Sequence, residues 1–490
     1  MHDRIFGLET EFGCLVRDDR VGTPEEIVER VKEYIFREQR LGVIDLHCRD
    51  AAFEPSGAGG FLRNGGRLYI DVVGSHEEYA TPECHSVYDL VRHEKAGQRI
   101  LQRAVEEMGL STSVSFHNNS VDHFGGHTFG CHENYLIDGE QFGREAIDLL
   151  LPFLVTRQIF AGVGRVGGHR INRHSLQKNV MQIGDFEEDY LWISNFYGVE
   201  IDDTVDYQLS QRADHIVKTV SSRVRFNRAI INPKWDHHYN YSNYHRLHVL
   251  YGEGNMSEYA TLLKIGTTCL VLELVEAGLA PDLPLMDPLG ALRSISRDES
   301  LQWIVRRESG ATIRAVDIQR AFLAAAKRHL SGQDHETDEM IGEWEDVLNT
   351  LERDPMSLGS RLDWVAKRNL LQAYLDSEGG DWQDDVMFSL DMEYHNISPS
   401  DGLFYALQDG GQMKRKATDE EIADAVQHAP RDTRAAARET VVRKLLQSQP
   451  TRSRYIIDWD GIYFGRDQRL EMTDPFHPYR REAEAFTRSL

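Results

Sequence analysis

Between Arg4 and Val16 the apolar positions Ile5, Phe6, Leu8, Phe12, Leu15 and Val16 suit a β-strand and form no helical stripe, which puts Glu9 and Glu11 on one face. A helix follows. Thr23 can cap it, Pro24 fits the first helical position, Glu26 completes a capping box, and Ile27, Val31, Tyr34 and Ile35 make one apolar stripe. Cys48 to Gly66 is dense in Gly and Pro and reads as loop, ended by a second strand, Arg67–Val72. From Ala315 to Glu378 the pattern is helical, with Ile318, Phe322, Ala325 and Leu330 in one stripe and Leu362, Val365, Leu370 and Tyr374 in another. After the basic stretch Lys414–Lys416 a second capping box, Thr418 with Glu421, opens a helical segment that ends at Pro450. Short strands Tyr455–Trp459, Ile462–Phe464 and Arg469–Met472 come next. Strands and helices in blocks, without an internal repeat, predict an α+β fold with a large domain at 1–416 and a small one at 417–490.

Three strand-like segments carry ionisable residues at a spacing of two. Glu9 and Glu11 share a face of the first, Arg67, Tyr69 and Asp71 a face of the second, and Arg246 and His248 a face of a third, Arg246–Leu250. Leu68, Ile70, Leu247 and Val249 point the other way, so each strand has a core side and a polar side. One such strand is an ordinary solvated face; three together suggest the lining of a site. Carboxylates sharing a face repel unless a cation lies between them, and Mg²⁺ is the usual cation where phosphate oxygens complete the shell. Ser75–Tyr79, His117–Asn119 and Cys131–Tyr135 read as turn-rich places whose histidines, amides and carboxylates could be ligands or satisfied polar residues at strand ends.

Composition narrows the class. The chain has 490 residues, with 55 Lys and Arg against 79 Asp and Glu, and a net charge of −24 argues against a nucleic-acid binder that neutralises phosphates. Asp3, Arg4 and Glu9 interrupt any signal peptide, and the apolar run Leu149–Val155 is too short to cross a membrane, so a cytoplasmic protein is expected. Five cysteines without CxxC spacing imply reduced thiols, and Cys84 and Cys131 read as buried structural residues. His237-His238 and Cys131-His132 lack the second pair that zinc requires. Gly162–Gly167 matches GxGxxG without a βαβ context, and neither a P-loop nor GxSxG is present.

The segments Arg4–Gly13, Leu62–Asp71, Tyr79–Cys84 and Gly130–Ile137 closely resemble the Pup ligase and depupylase family. The likeness continues through Pro152–Gln158, Leu209–Arg212, Arg246–Val249, Gly254–Glu258 and Leu362–Val365. The resemblance implies a glutamine synthetase-like antiparallel sheet cradle packed by helices, with a small C-terminal α/β domain, binding ATP and Mg²⁺. It implies that Glu9, Tyr69, Glu78 and Glu11 hold the metal. Arg67, Thr81 and Trp459 would contact ATP, with Arg246 and His248 on its phosphates, and Asp71 would be the catalytic base toward an incoming lysine. The implied partners are a Pup-like protein modifier, whose C-terminal glutamate becomes an acyl phosphate, and lysine-bearing protein substrates. Ligase comes first: Cys131, Thr156–Gln158, Asp419–Ala423 and Asp474–Phe476 resemble that branch. Arg49–Ala51 and Asp354–Met356 resemble the depupylase branch, and the Leu41–Gly60 loop is of intermediate length. A depupylase or deamidase, a small-molecule carboxylate-amine ligase and a non-enzymatic binding module remain the alternatives.

Overall fold

The structure, a computed structural model, describes residues 4–44, 59–71, 76–123, 127–171, 199–221, 228–234, 244–448, 454–488 and 490. Its described residues divide into two compact units, one drawn from Ile5–Asn118 and Lys416–Leu490, the other from Asn119–Trp235 and Asn243–Arg415 together with Arg4. The tail that the sequence sets apart thus groups with the N-terminal strands.

In the first unit β1 (Phe6–Val16) leads into α1 (Pro24–Arg37), whose capping box between Thr23 and Glu26 forms as the sequence predicts. Short strands β2 (Gly42–Ile44) and β3 (Gly60–Leu62) follow, then β4 (Arg67–Asp71), β5 (His76–Ala80), α2 (Val87–Glu107) and β6 (Val114–His117). The ladder runs β1–β5–β4–β3–β2, antiparallel throughout, and β6 pairs with the end of β1. Residues 45–58, most of the predicted loop, lie outside the described residues, as do 72–75 and His237-His238. Helices α1 and α2 cover one side of this ladder. Their contact is close: a Cβ built on Gly97 of α2 would meet Tyr79 Cδ1 of β5 at 2.3 Å, so only glycine fits there.

The second unit contains β7 (Cys131–Asp138), α3 (Arg144–Thr156), α4 (Gln158–Ala161), β8 (Arg165–Ile171), β9 (Val199–Gln208), β10 (Lys218–Val220), β11 (Ala229–Lys234) and β12 (Tyr244–Val249). Strands β11, β12 and β7 are antiparallel neighbours, β10 joins β11 in parallel, and β8 pairs with β9. Gly162–Gly167 enters β8 of this antiparallel pair, so no βαβ unit surrounds it. Helix α5 (Glu258–Glu276) is buried nearly all round and forms the centre of the helical layer. Then come α6 (Pro288–Ser296), the β13–β14 pair (Ile304–Arg306, Thr312–Arg314), α7 (Ala315–His329), α8 (His335–Arg353), α9 (Asp363–Glu378), α10 (Asp385–Tyr394) and α11 (Leu403–Asp409).

Back in the first unit, α12 (Asp419–Gln427) starts at the predicted Thr418–Glu421 capping box, followed by α13 (Ala435–Ser448), the antiparallel β15–β16–β17 sheet (Tyr455–Ile457, Gly461–Phe464, Gln468–Glu471) and α14 (Arg480–Thr487). Val441, Val442, Leu445, Tyr455, Ile462 and Met472 form one core with Val43 and Phe61. The architecture is α+β, and no helix among the described residues is long and apolar enough to cross a membrane.

Candidate active site

Alternation along three paired strands builds one polar face. The register sets Glu11 opposite Glu78 and Glu78 opposite Tyr69, then Glu9 opposite Ala80 and Ala80 opposite Arg67, with Asp71 opposite His76. In an antiparallel sheet such partners share a side, so Glu9, Glu11, Arg67, Tyr69, Asp71, His76 and Glu78 all project the same way. Leu8, Phe12, Leu68, Ile70, Glu77 and Tyr79 project to the side covered by α1 and α2. His76–Tyr79 and Cys131–Tyr135 are therefore strand, not the turn-rich places expected from sequence. Histidine, glutamate and asparagine are weak strand formers alone, and ladder pairing with β1, β4 and β12 overrides that preference.

This face carries more negative charge than its own cations balance. The Tyr69 hydroxyl donates to Glu78 Oε1. Burial pushes the Glu78 carboxyl well above the usual carboxylate range, and Glu9, Glu11 and Asp71 add repulsion in the same direction. His76 Nδ1 sits 3.1 Å from Glu11 Oε2, and Glu11, Asp71 and His76 each offer a ligand atom within 4.8 Å of the others. Hard oxygen donors crowded on one face, raising one another's proton affinity, are the donor set a divalent cation such as Mg²⁺ satisfies, so these residues fit the metal that the resemblance implies.

Beside the carboxylates lies an aromatic and cationic edge. The Arg67 guanidinium stands 4.7 Å from the Tyr69 ring and 6.0 Å from Phe61. Phe61 in turn meets Trp459 edge to face, with ring centroids 5.0 Å apart. Trp459 occupies the turn between β15 and β16 rather than the strand expected for it, because Asp458 closes that turn: its Oδ1 accepts from Trp459 N at 2.8 Å and its own N–H donates to Gly461 O at 2.8 Å. Thr81 Oγ1 is buried and accepts from Leu8 N at 3.1 Å, fixing the chain after β5 against β1.

Arg246 and His248 belong to the second unit, where they share a face of β12. Arg246 Nη1 donates to Asn134 Oδ1 at 3.1 Å, and the His248 ring packs edge to face on His132 with centroids 4.9 Å apart. On β7 the intervening Glu133 is fully buried. It accepts from Arg157 Nη1 at 2.8 Å and from the Tyr135 hydroxyl at 2.6 Å.

A family model described as Pup-ligase protein matches residues 4–463. The chain belongs to the Pup-ligase family. Curated Pup-ligase relatives align along its whole length. The Pup–protein ligase of Rhodococcus erythropolis strain PR4 is 34% identical over 508 residues, covering 100% of both chains. The Pup–protein ligase of Nocardia farcinica strain IFM 10152 is 36% identical over 495 residues, covering 97% of each. Among solved structures, the Pup ligase PafA in complex with Pup matches with a TM-score of 0.78 at 30% identity, over 99% of this chain and 92% of that one. PafA in complex with ADP gives 0.74 at 31% identity, over 96% and 94%. The α+β architecture is thus the Pup-ligase fold from end to end.

Sequence reasoning passed over Phe61, Glu83 and Arg438 in this Pup-ligase chain. Arg438 left one signal: with Val441, Val442 and Leu445 it completes a helical stripe at spacings of three, four and seven, so a cation occupies a core position.

Proposed function

We propose that this chain is an ATP-dependent ligase that joins the C-terminal glutamate of a Pup-like modifier to substrate lysines, working in the cytoplasm. The observation that carries the proposal is the face of Glu9, Glu11, Tyr69, Asp71 and Glu78, presented by three paired strands of a Pup-ligase chain. Glu9, Tyr69, Glu78 and Glu11 would hold Mg²⁺, which when bound supplies positive charge beside the triphosphate. Arg67, Thr81 and Trp459 would contact ATP, and Arg246 and His248 its phosphates.

A modifier carboxylate oxygen attacks the γ-phosphorus, giving an acyl phosphate and ADP, a transfer that depends on positioning and charge neutralisation. Arg67 contributes fixed charge to it. The lysine amine then attacks the acyl carbon, forming the isopeptide bond as phosphate leaves. An ammonium has no lone pair, so a base must first remove its proton, and Asp71, on the carboxylate face opposite His76, takes that role. The relatives quoted above carry ligase names, which favours conjugation over the hydrolytic alternative despite the depupylase-like Arg49–Ala51 and Asp354–Met356.

Incubation with ATP, Mg²⁺ and a Pup-like peptide ending in Glu or Gln, followed by mass spectrometry, tests the reading. A lysine conjugate with the Glu-ended peptide is expected. Release of modifier from a conjugate faster than its formation under saturating ATP would reverse the assignment.

A further inference from the structure

Arg438 is fully buried on the apolar stripe of α13. A guanidinium there must find acceptors for five N–H groups, and each has one. Nε donates to Gly65 O at 3.3 Å, and Nη2 to Gly65 O at 3.2 Å and to Glu83 Oε2. Nη1 donates to Glu83 Oε1 at 3.2 Å and to Trp459 O at 2.8 Å. The same group lies 4.9 Å from the Trp459 ring and 5.3 Å from Phe61. Arg434 Nε adds a second cation on Glu83 Oε1 at 2.7 Å. Burial pushes the Glu83 carboxyl up, and the Arg438 and Arg434 guanidiniums outweigh this and hold it below the usual range.

The partners of Arg438 are distributed in a telling way. Gly65 lies in the turn two residues before Arg67, Glu83 lies two residues after Thr81, and the third is Trp459 itself. One side chain therefore fixes all three segments that carry the proposed ATP contacts of this unit. The turn has no room to adjust: Gly65 has φ +81°, and a Cβ there would meet Ala435 Cβ of α13 at 2.9 Å.

We propose that Arg438 is the positioning residue of the nucleoside-triphosphate site, setting the spacing of Arg67, Thr81 and Trp459 through Gly65, Glu83 and the Trp459 carbonyl and ring. It rests on the assignment of Trp459 to the nucleotide. A lysine cannot replace it, because an ammonium offers three donors from one point and no planar fork to span Glu83, Gly65 and Trp459 together.

The test uses the full chain, with ADP affinity by calorimetry and the ATP KM and kcat measured for wild type, Trp459→Ala, Arg438→Lys, Glu83→Gln and the double variant Arg438→Lys/Trp459→Ala. Near-ultraviolet circular dichroism reports folding. Both single changes at 438 and 459 should weaken ADP by about tenfold and raise the ATP KM more than they lower kcat, and the double variant should lose less than the product of the two single losses, because Arg438 acts in part through the Trp459 carbonyl and ring. If Trp459→Ala binds ADP as wild type does, the nucleotide assignment fails and the proposal falls with it. If Trp459→Ala weakens ADP while folded Arg438→Lys and Glu83→Gln do not, or if the losses multiply in the double variant, the positioning role is overturned and the nucleotide assignment stands. Should Arg438→Lys not fold, Glu83→Gln and its double with Trp459→Ala are read by the same outcomes.

Discussion

The Tyr69 hydroxyl donates its hydrogen bond to Glu78, its direct register partner across the β4–β5 ladder. Burial together with the charges of Glu78 and Glu9 pushes the Tyr69 phenol well above its ordinary range, so it stays a donor at neutral pH and keeps one Glu78 oxygen oriented along the sheet. The acidic face is thus organised by its own strand pairing.

Glu9→Ala removes a carboxylate from that face and nothing from the core. Mg²⁺-dependent ATP turnover should be lost while the thermal midpoint stays within a few degrees of wild type. Unchanged turnover by a folded variant would remove Glu9 from the metal site.

Asp71→Asn keeps the shape and takes away the proton acceptor. Conjugation should fall by about 100-fold or more with ADP affinity changed far less, as single-turnover mass spectrometry and calorimetry would record. Equal losses in binding and chemistry would make Asp71 a binding residue.

His93, buried in α2 with no hydrogen-bond partner for Nδ1 among the described residues, is driven down by burial and by Arg92 from 6.5 to about 3. Its folded value lies below its unfolded one, so the unfolded chain takes up this proton first as pH falls. Stability is complete above pH 6.5 and declines by up to about 1.4 kcal/mol per pH unit below it, levelling near pH 3. His93→Gln should flatten this limb in urea titrations run across that range; a wild-type slope in the variant would assign the acid loss to other groups.

Glu133 and Arg157 form a buried pair, with Arg157 also bonded to Thr268 at 2.6 Å and Tyr251 at 3.1 Å. Glu133→Gln strands the guanidinium and should cost about 3–5 kcal/mol, whereas Glu133→Leu with Arg157→Met should cost less than the two single changes added together. Urea midpoints of wild type, Glu133→Gln, Glu133→Leu, Arg157→Met and the double variant decide it.

The sequence made the strands of the site legible because alternation survives translation into a pleated sheet: Arg67, Tyr69 and Asp71 read as one face and are one. Capping boxes at Thr23 and Thr418 were equally plain, since cap chemistry is local. The strand character of His76–Ala80 was not, because its polar residues lose to tertiary pairing with β1 and β4. The Arg438 clamp joins residues more than 350 positions apart at its longest link, to Gly65 and Glu83, and no local pattern carries such information.

Glu77 and Glu78 point to opposite sides of β5, so a slip of one residue would still set a glutamate on each face, and composition would not betray the error. What distinguishes the two registers is bulk. The Tyr79 ring fits beneath the bare backbone of Gly97, where a methyl group would collide. The strand is indexed by an aromatic notch, and the carboxylate of the polar face is simply the one beside it. A methyl at Gly97 would therefore act as a misalignment of the polar face rather than as a loss of stability alone.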